Sequence, residues 1–314
     1  MTNITNIRWK NVGGIQMENE WLKVVILPCL GGKLASVYYK ETGFELAAQS
    51  KEAEYQIPRI DSQFSEYDAS GLDEAFPNVV EAKVPCENGE WIYPDHGEIW
   101  SSSMEYRIEG EEVVLSYESK RFYYTYEKRV SLKENRIGME YKIENQKEEA
   151  FPCLWTFHGL IRYEEDMELL YPKEVTSFEN VLPCSELGRA GRHIPMNNQE
   201  YDFCKVPLKN AFTMVKYYAD KKLEEGFCGC RYPSQGMEYL LEYDAKKLPY
   251  LGIWITAGGF RGDYNCAIEP SNGYYDDIFI ADKNKSLYRL EKEKPLIFRI
   301  NISIQKQAET RQRE

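Results

Sequence analysis

"EVVLSYESKRFYYTYEKRVSLKENRIGMEYKIEN", residues 112–145, holds three runs in which apolar or aromatic residues alternate with polar ones. Polar turn segments such as Lys133-Glu134-Asn135 separate the runs. A period of two residues is the signature of a half-buried strand, and strands joined by short turns pair antiparallel, so this stretch predicts a meander.

The same texture extends outward in both directions. "WLKVVILP" (21–28) is β-rich and stops at Pro28, and "GGKLASVYY" (31–39) follows it. Gly31 and Gly32 lead into a strand and not a helix, so they predict a hairpin turn rather than a phosphate cradle. "AFPCLWTFHGLIRY" (150–163) predicts one further, more apolar strand, and "MEYLLEYDA", "LPYLGIWITAGGF" and "PLIFRINISIQ" close the chain. Helical pattern is scarce: "SGLDEAF" (70–76) predicts a single turn, with Ser70 as its cap. Strands run from residue 21 to 304 without a composition break, a long linker or an internal repeat. The expectation is an all-β protein, one large antiparallel β-sandwich forming a single domain over 1–314, with a frayed polar tail from about 305 to 314.

The 314 residues carry a net charge of −12 and a sequence pI of about 5.0. That balance argues against a nucleic-acid or anionic-membrane partner. No apolar run of about 18 residues is present to span a membrane, and the N-terminus lacks the apolar core of a signal peptide. The eight cysteines form no disulfide framework, which predicts free thiols in a reducing cytoplasm. Tyrosine is abundant at 24 residues, suited to half-buried strand surface and equally to sugar recognition by rings with a polar edge.

Three segments set reactive side chains among apolar strand residues. "DHGEIW" carries His96, "LWTFHGLI" carries His158, and "NCAIEPSNGYYDD" carries Glu269. His158 lies among Leu154, Trp155, Phe157, Leu160 and Ile161, so its imidazole must be buried and must find a partner, either as a core histidine or as a working one. Gly159 beside it marks a bulge or a close approach to the backbone. Glu269 ends an apolar run and is followed at once by Pro270, which holds a carboxylate rigidly and partly out of water, as a general base requires. His193, in "GRAGRHIPMNN", reads as a solvated loop residue. The C-x-C of "FCGCRYP" (227–233) lacks the second pair that a metal site needs. No nucleophile elbow, P-loop or dinucleotide fingerprint occurs.

Taken in order, these segments resemble the aldose 1-epimerase, or galactose mutarotase-like, superfamily over nearly the whole chain. "VVILPCLGGKLASVYYKETGFEL" is similar to the family's opening hairpin and "SGLDEAFPNV" to an element of one branch. "DHGEIW" and "LWTFHGLI" resemble its two histidine segments, and "AIEPSNGYYDD" its closing glutamate element. The resemblance implies a galactose mutarotase-like supersandwich and an isomerase that interconverts the anomers of a free or modified aldose, with neither metal nor cofactor. It implies that Glu269 takes the proton of the C1 hydroxyl, that His158 protonates the ring oxygen, and that His96 supports the ring oxygen or a neighbouring hydroxyl. Arg59 would stand for an arginine of the better-known branch and Asp73 would serve a sugar hydroxyl, while a further acid of that branch has no clear counterpart. Trp155 and Trp254 are candidate platforms for a sugar face, with core packing as the other use of each. The expected partner is a small-molecule carbohydrate, bound by a monomer or homodimer.

Three other readings remain open. His96-x-Glu98 followed by His158 has the order of a 2-His-1-carboxylate iron site. The same fold can bind a carbohydrate without acting on it. A phosphorylated sugar would call for basic residues around the site, for which Lys33, Arg59 and Arg261 are candidates.

Overall fold

The computed structural model describes residues 1–87 and 89–307. The meander forms as expected: Glu112–Glu118, Tyr124–Lys133 and Arg136–Asn145 pair antiparallel in sequence order. Every second residue of Tyr124–Lys133 is buried, so Tyr124, Tyr126, Lys128, Val130 and Leu132 share the inner face. These strands belong to an eight-stranded antiparallel sheet that also contains Leu296–Lys306, Met237–Tyr243 and Phe227–Tyr232.

A twelve-stranded antiparallel sheet faces it. Its middle runs, in spatial order, Leu22–Leu27, Lys33–Tyr39, Leu72–Ala75, Thr156–Arg162, Tyr264–Ser271, Tyr250–Ala257 and Thr213–Ala219. Val24, Phe157, Ile253 and Ile268 of this sheet share one apolar cluster with Val113, Tyr126 and Val130 of the other. Two sheets burying one core make the β-sandwich that the alternation predicts.

Pairing decides where sequence reading was too coarse. Leu72–Ala75 is a strand and not a helical turn, because Leu72 pairs with Leu34 on one side and Asp73 with His158 on the other. Residues 150–163 are not one strand: Phe151–Cys153 pairs with Tyr288–Leu290 in a separate small sheet, and the chain crosses into the large sheet only at Thr156. At the break, the Trp155 backbone N–H donates to Asn272 Oδ1 at 2.7 Å. A short helix, Ile278–Lys283, was not expected. It has only six residues, too few to show a period, and the Asp277 side chain caps it by accepting from the N–H groups of Phe279 and Ile280. Gln305 and Lys306 belong to the last strand rather than to a tail, and residues 308–314 lie outside the described residues. Among the described residues no helix is long and apolar enough to cross a membrane.

Candidate active site

Strand register collects the site. Side chains alternate across a sheet, so residues two apart share a face. Ile268, Ile253 and Tyr217 point into the core between the sheets. Their neighbours Ala267 and Glu269, Trp254, and Lys216 must then point to the opposite face, with Leu160 and His158 beside them. Cross-strand pairing sets these in rows: Lys216 opposite Trp254, Trp254 opposite Ala267, Ala267 opposite Leu160. One step along, Glu269 lies opposite Gly252, and His158 lies opposite Asp73.

Both imidazoles are anchored through Nδ1. His158 is buried, and its Nδ1 lies 2.9 Å from Asp73 Oδ1. Burial alone would raise the Asp73 carboxyl, but the Lys33 ammonium, 3.3 Å away, and the His158 hydrogen bond outweigh it and hold the group below its ordinary value. His96 Nδ1 lies 2.8 Å from Asp95 Oδ1, and the other Asp95 oxygen accepts the Phe64 backbone N–H at 2.7 Å. Burial is again overcome there, by the His96 contact, and the Asp95 carboxyl is lowered. Phe64 stacks on the His96 ring at 4.3 Å and meets His158 edge-on at 5.0 Å.

The His96 loop is pinned by backbone contacts. His96 N–H donates to Val79 O at 2.7 Å and Glu98 N–H to Phe76 O at 2.8 Å. Gly97 passes so close that a Cβ would sit 2.2 Å from Phe76 O, and His96 itself holds φ at 56°. A non-glycine residue in that region is costly and persists where surrounding contacts demand it.

On the strand next to that of His158, Glu269 is buried and its Oε2 accepts from Lys216 Nζ. Lys216 also lies 3.5 Å from Asp276 Oδ1, which accepts from the Tyr218 hydroxyl at 2.6 Å. Burial would lower the Lys216 ammonium, but Asp276 and Glu269 together raise it above its ordinary value. Glu269 Oε1 takes no hydrogen bond among the described residues. Gly252 makes room for the carboxylate: a Cβ there would lie 2.9 Å from Tyr218 and 3.0 Å from Glu269 Oε2.

These groups line one cavity of about 310 Å³, walled by Phe64, Trp254, Phe260 and Tyr275. The size lies at the small end of ligand pockets, and the lining joins aromatic faces to a few convergent polar groups. With Nδ1 held by a carboxylate, the free Nε2 of each imidazole accepts a proton when neutral and donates one when charged. The arrangement can therefore exchange protons at two points on a small polar ligand.

No family model matches the chain, and no curated protein matches it in sequence. Solved structures do match it in three dimensions. The Slr1438 protein of Synechocystis sp. PCC 6803 superposes with a TM-score of 0.73 at 14% identity, over 96% of this chain and 100% of that one. A galactose mutarotase-like protein of Clostridium acetobutylicum gives 0.71 at 13% identity, over 97% and 99%. A galactose mutarotase related enzyme of Lactobacillus acidophilus gives 0.70 at 15% identity, over 94% and 98%. The chain has the galactose mutarotase-like fold.

Within this mutarotase-like sandwich the sequence-derived candidates separate. His96, His158, Glu269 and Trp254 line the one cavity. Asp73 is buried behind His158, where it anchors the ring instead of facing the cavity. Trp155 is core: it is fully buried, stacks edge-on against Tyr141 and Phe298, and its indole N–H donates to Tyr126 at 3.0 Å. Arg59 is exposed in a separate depression beside Ser101, Ser102 and Arg121. Lys33 is buried against Asp68 and Asp73, and Arg261 donates to the carbonyls of Ser65 and Tyr67, so neither reaches the cavity. Glu98 turns away from His96 and accepts from Ser119 and Tyr124 at 2.7 and 3.0 Å, which separates the H-x-E pair required by the iron reading. His193 is exposed, as read, but stands on the strand Arg192–Pro195 rather than in a loop. Cys228 and Cys230 are buried in the core, and burial pushes the Cys230 thiol up to about 12.

Sequence reading missed Phe64, Lys216 and Asp276. A signal existed for Lys216: in "TMVKYYA" a lysine interrupts an apolar strand, and a buried charge in a sheet needs a partner. Phe64 gave none, because it enters from an irregular segment with no period to read.

Proposed function

We propose that the chain is an aldose 1-epimerase-type isomerase that interconverts the anomers of a small sugar by metal-free acid–base chemistry. One observation carries the reading: two carboxylate-anchored imidazoles, each with Nε2 unpaired among the described residues, share a cavity with a buried carboxylate. Glu269 Oε1 takes the proton of the C1 hydroxyl while His158 Nε2 gives one to the ring oxygen. The C1–ring oxygen bond breaks, its electron pair stays on the ring oxygen, and the C1–O1 bond becomes the aldehyde double bond. After rotation about C1–C2 the ring oxygen attacks the other face of the aldehyde. His158 then recovers its proton and Glu269 returns the one it took. His96, whose ring lies 5.4 Å from that of His158, supports the charge that develops on the ring oxygen. A positioned acid or base contributes on the order of 10²–10⁴-fold each. Trp254 and Phe64 offer apolar faces to the sugar ring, and the eight cysteines, all free, suit a reducing cytoplasm.

One contact favours a second reading. Lys216 occupies one oxygen of the proposed base, and such a pair would also suit a protein that binds a sugar without transforming it. Anomer exchange followed by NMR on a panel of reducing sugars, with and without EDTA, separates the two. Exchange that survives EDTA and falls at least 100-fold in Glu269→Gln and His158→Ala supports the isomerase. Saturable binding with no acceleration of exchange on any sugar moves the assignment to the binding protein.

A further inference from the structure

Lys216 joins two carboxylates of the cavity, and the reaction drawn above uses only one of them. The strand Thr213–Ala219 sets Lys216 and Tyr218 two positions apart, on one face. Tyr218 lies opposite Gly252 and Gly252 opposite Glu269, so a phenol, a gap and the carboxylate form one row across three strands. Lys216 Nζ hydrogen-bonds Glu269 Oε2 and stands 3.5 Å from Asp276 Oδ1. Asp276 comes from the loop that follows the Glu269 strand and is fixed at two points. Its Oδ1 accepts from the Tyr218 hydroxyl at 2.6 Å, and its carbonyl accepts from Val80 N–H at 3.1 Å. The ammonium also stands over the Tyr218 ring, 5.5 Å from its centroid. Each carboxylate keeps one oxygen without a hydrogen bond among the described residues, Glu269 Oε1 and Asp276 Oδ2.

The two contacts are unequal. The ammonium is bonded to Glu269, whose side chain is 1% exposed, and only within ion-pair range of Asp276, whose side chain is 18% exposed. A buried carboxylate carrying a cation stays charged, but it resists a proton, because protonation would leave the cation buried and unpaired. A second carboxylate 3.5 Å away removes that penalty, since the ammonium can turn to it as Glu269 becomes neutral.

We propose that Lys216 and Asp276 are positioning residues for the base. In the resting site the ammonium holds Glu269 Oε2 and leaves Oε1 to the substrate. When Oε1 takes the C1 hydroxyl proton, the ammonium passes its hydrogen bond from Glu269 Oε2 to Asp276 Oδ1, and it returns when Glu269 gives the proton back. Lys216 keeps all its protons throughout. This rests on the acid–base reading of the cavity.

The other titratable groups near Glu269 are accounted for. His96 and His158 line the same cavity and are common to every variant below. Asp277 Oδ1 caps the helix Ile278–Lys283, and burial raises the phenols of Tyr218 and Tyr275, which keeps them neutral. Lys216 and Asp276 therefore act on Glu269 with opposite signs, the cation favouring its charged form and the neighbouring carboxylate its neutral form.

The test is the pH profile of kcat/KM for anomer exchange in wild type, Lys216→Met, Lys216→Arg and Asp276→Asn. The Glu269 carboxyl carbon is titrated by NMR in the same proteins and assigned by its loss in Glu269→Gln. The acid limb and the carboxyl midpoint should move together, up by about one to three pH units in Lys216→Met and down by about one in Asp276→Asn. Lys216→Arg keeps the charge and should leave the limb in place. Asp276→Asn should lower the plateau kcat even though it widens the pH range in which Glu269 is ionised, because the ammonium has lost the partner it turns to. A merely structural role would lower activity or stability without moving the limb in opposite directions. Where Lys216→Met does not fold, Asp276→Asn and Lys216→Arg decide by the same criteria. Limbs and midpoints that coincide with wild type, or that move with one sign in both charge-removing variants, overturn the proposal and leave the isomerase standing. Exchange on no sugar in wild type overturns the isomerase, and the proposal with it.

Discussion

His158 shows how much one residue owes to those behind it. Its imidazole is useful only while Asp73 holds Nδ1, and Asp73 stays ionised in its buried place because Lys33 stands next to it. Asp73→Asn keeps the size and removes the charge. Anomer exchange should fall about 100-fold, in the range of one lost acid–base contribution. Stability should fall by about 3–5 kcal/mol, the usual cost of breaking a buried pair. The pH dependence has a definite sign. The folded Asp73 carboxyl lies below its ordinary value of about 3.9, so its contribution is present above that value and is lost as pH falls through the lower, folded one. Urea midpoints of wild type and variant should differ by a constant amount from pH 7 to about pH 5 and converge below about pH 4. Lys216→Met leaves Glu269, on the strand next to that of His158, in a buried place without its cation. A loss of about 3–5 kcal/mol is expected, most of it recovered when Glu269→Gln is added, and thermal melts of the double-mutant cycle measure it. Histidines and a strand-end glutamate were legible in the sequence because these residue types stand out against apolar neighbours. Their supports were not: Asp73 was read as a sugar ligand, and Lys33 as a candidate contact for a phosphorylated sugar, since only pairing shows what a side chain faces.

At the scale of elements, the site is a property of register. The Thr156–Arg162 strand pairs with Tyr264–Ser271 at Thr156 and again at Leu160, with no paired residues between, opposite Ile268–Pro270. Pro270 has no N–H to give a ladder there. The interval holds His158 on one strand and Glu269 on the other, so the proposed acid and base sit where the two strands are least tied to each other. Gly252 is the third part of this arrangement. Gly252→Ala should displace the Glu269 carboxylate and reduce exchange at least tenfold, while the change in urea midpoint stays small, because a single methyl meets one carboxylate oxygen and one ring edge. Rates and midpoints on the same preparation check this. Strands with clean alternation, such as Tyr124–Lys133, were readable residue by residue. Leu72–Ala75 was not, because a four-residue strand buried on both faces has no alternation to show and its "LDEA" favours helix locally.

At the scale of the molecule, the two sheets are joined by a buried ion pair as well as by apolar contact. Lys128 Nζ lies 2.6 Å from Glu74 Oε1, and both side chains are fully buried. Tyr141 donates to the same oxygen at 2.7 Å, and Lys128 also reaches Gly32 O at 3.1 Å. Lys128→Met alone should cost about 3–5 kcal/mol, and Lys128→Met with Glu74→Gln considerably less, measured by chemical denaturation. The sandwich itself was legible because strands cover the whole chain. The order of strands within each sheet was not, because it depends on contacts between residues as far apart as Leu34 and Leu72, or Asp73 and His158. Glu74 and Asp73 are adjacent in the chain and point to opposite faces of one short strand, one acid to the core lysine and the other to the histidine. A slip of this strand by a single position would exchange inside and outside, leaving Lys128 facing an alanine or a shorter acid, and His158 facing a leucine or a longer one. The cation in the core thus acts as a proofreader of alignment, and the chain can seat the acid that holds His158 in only one way.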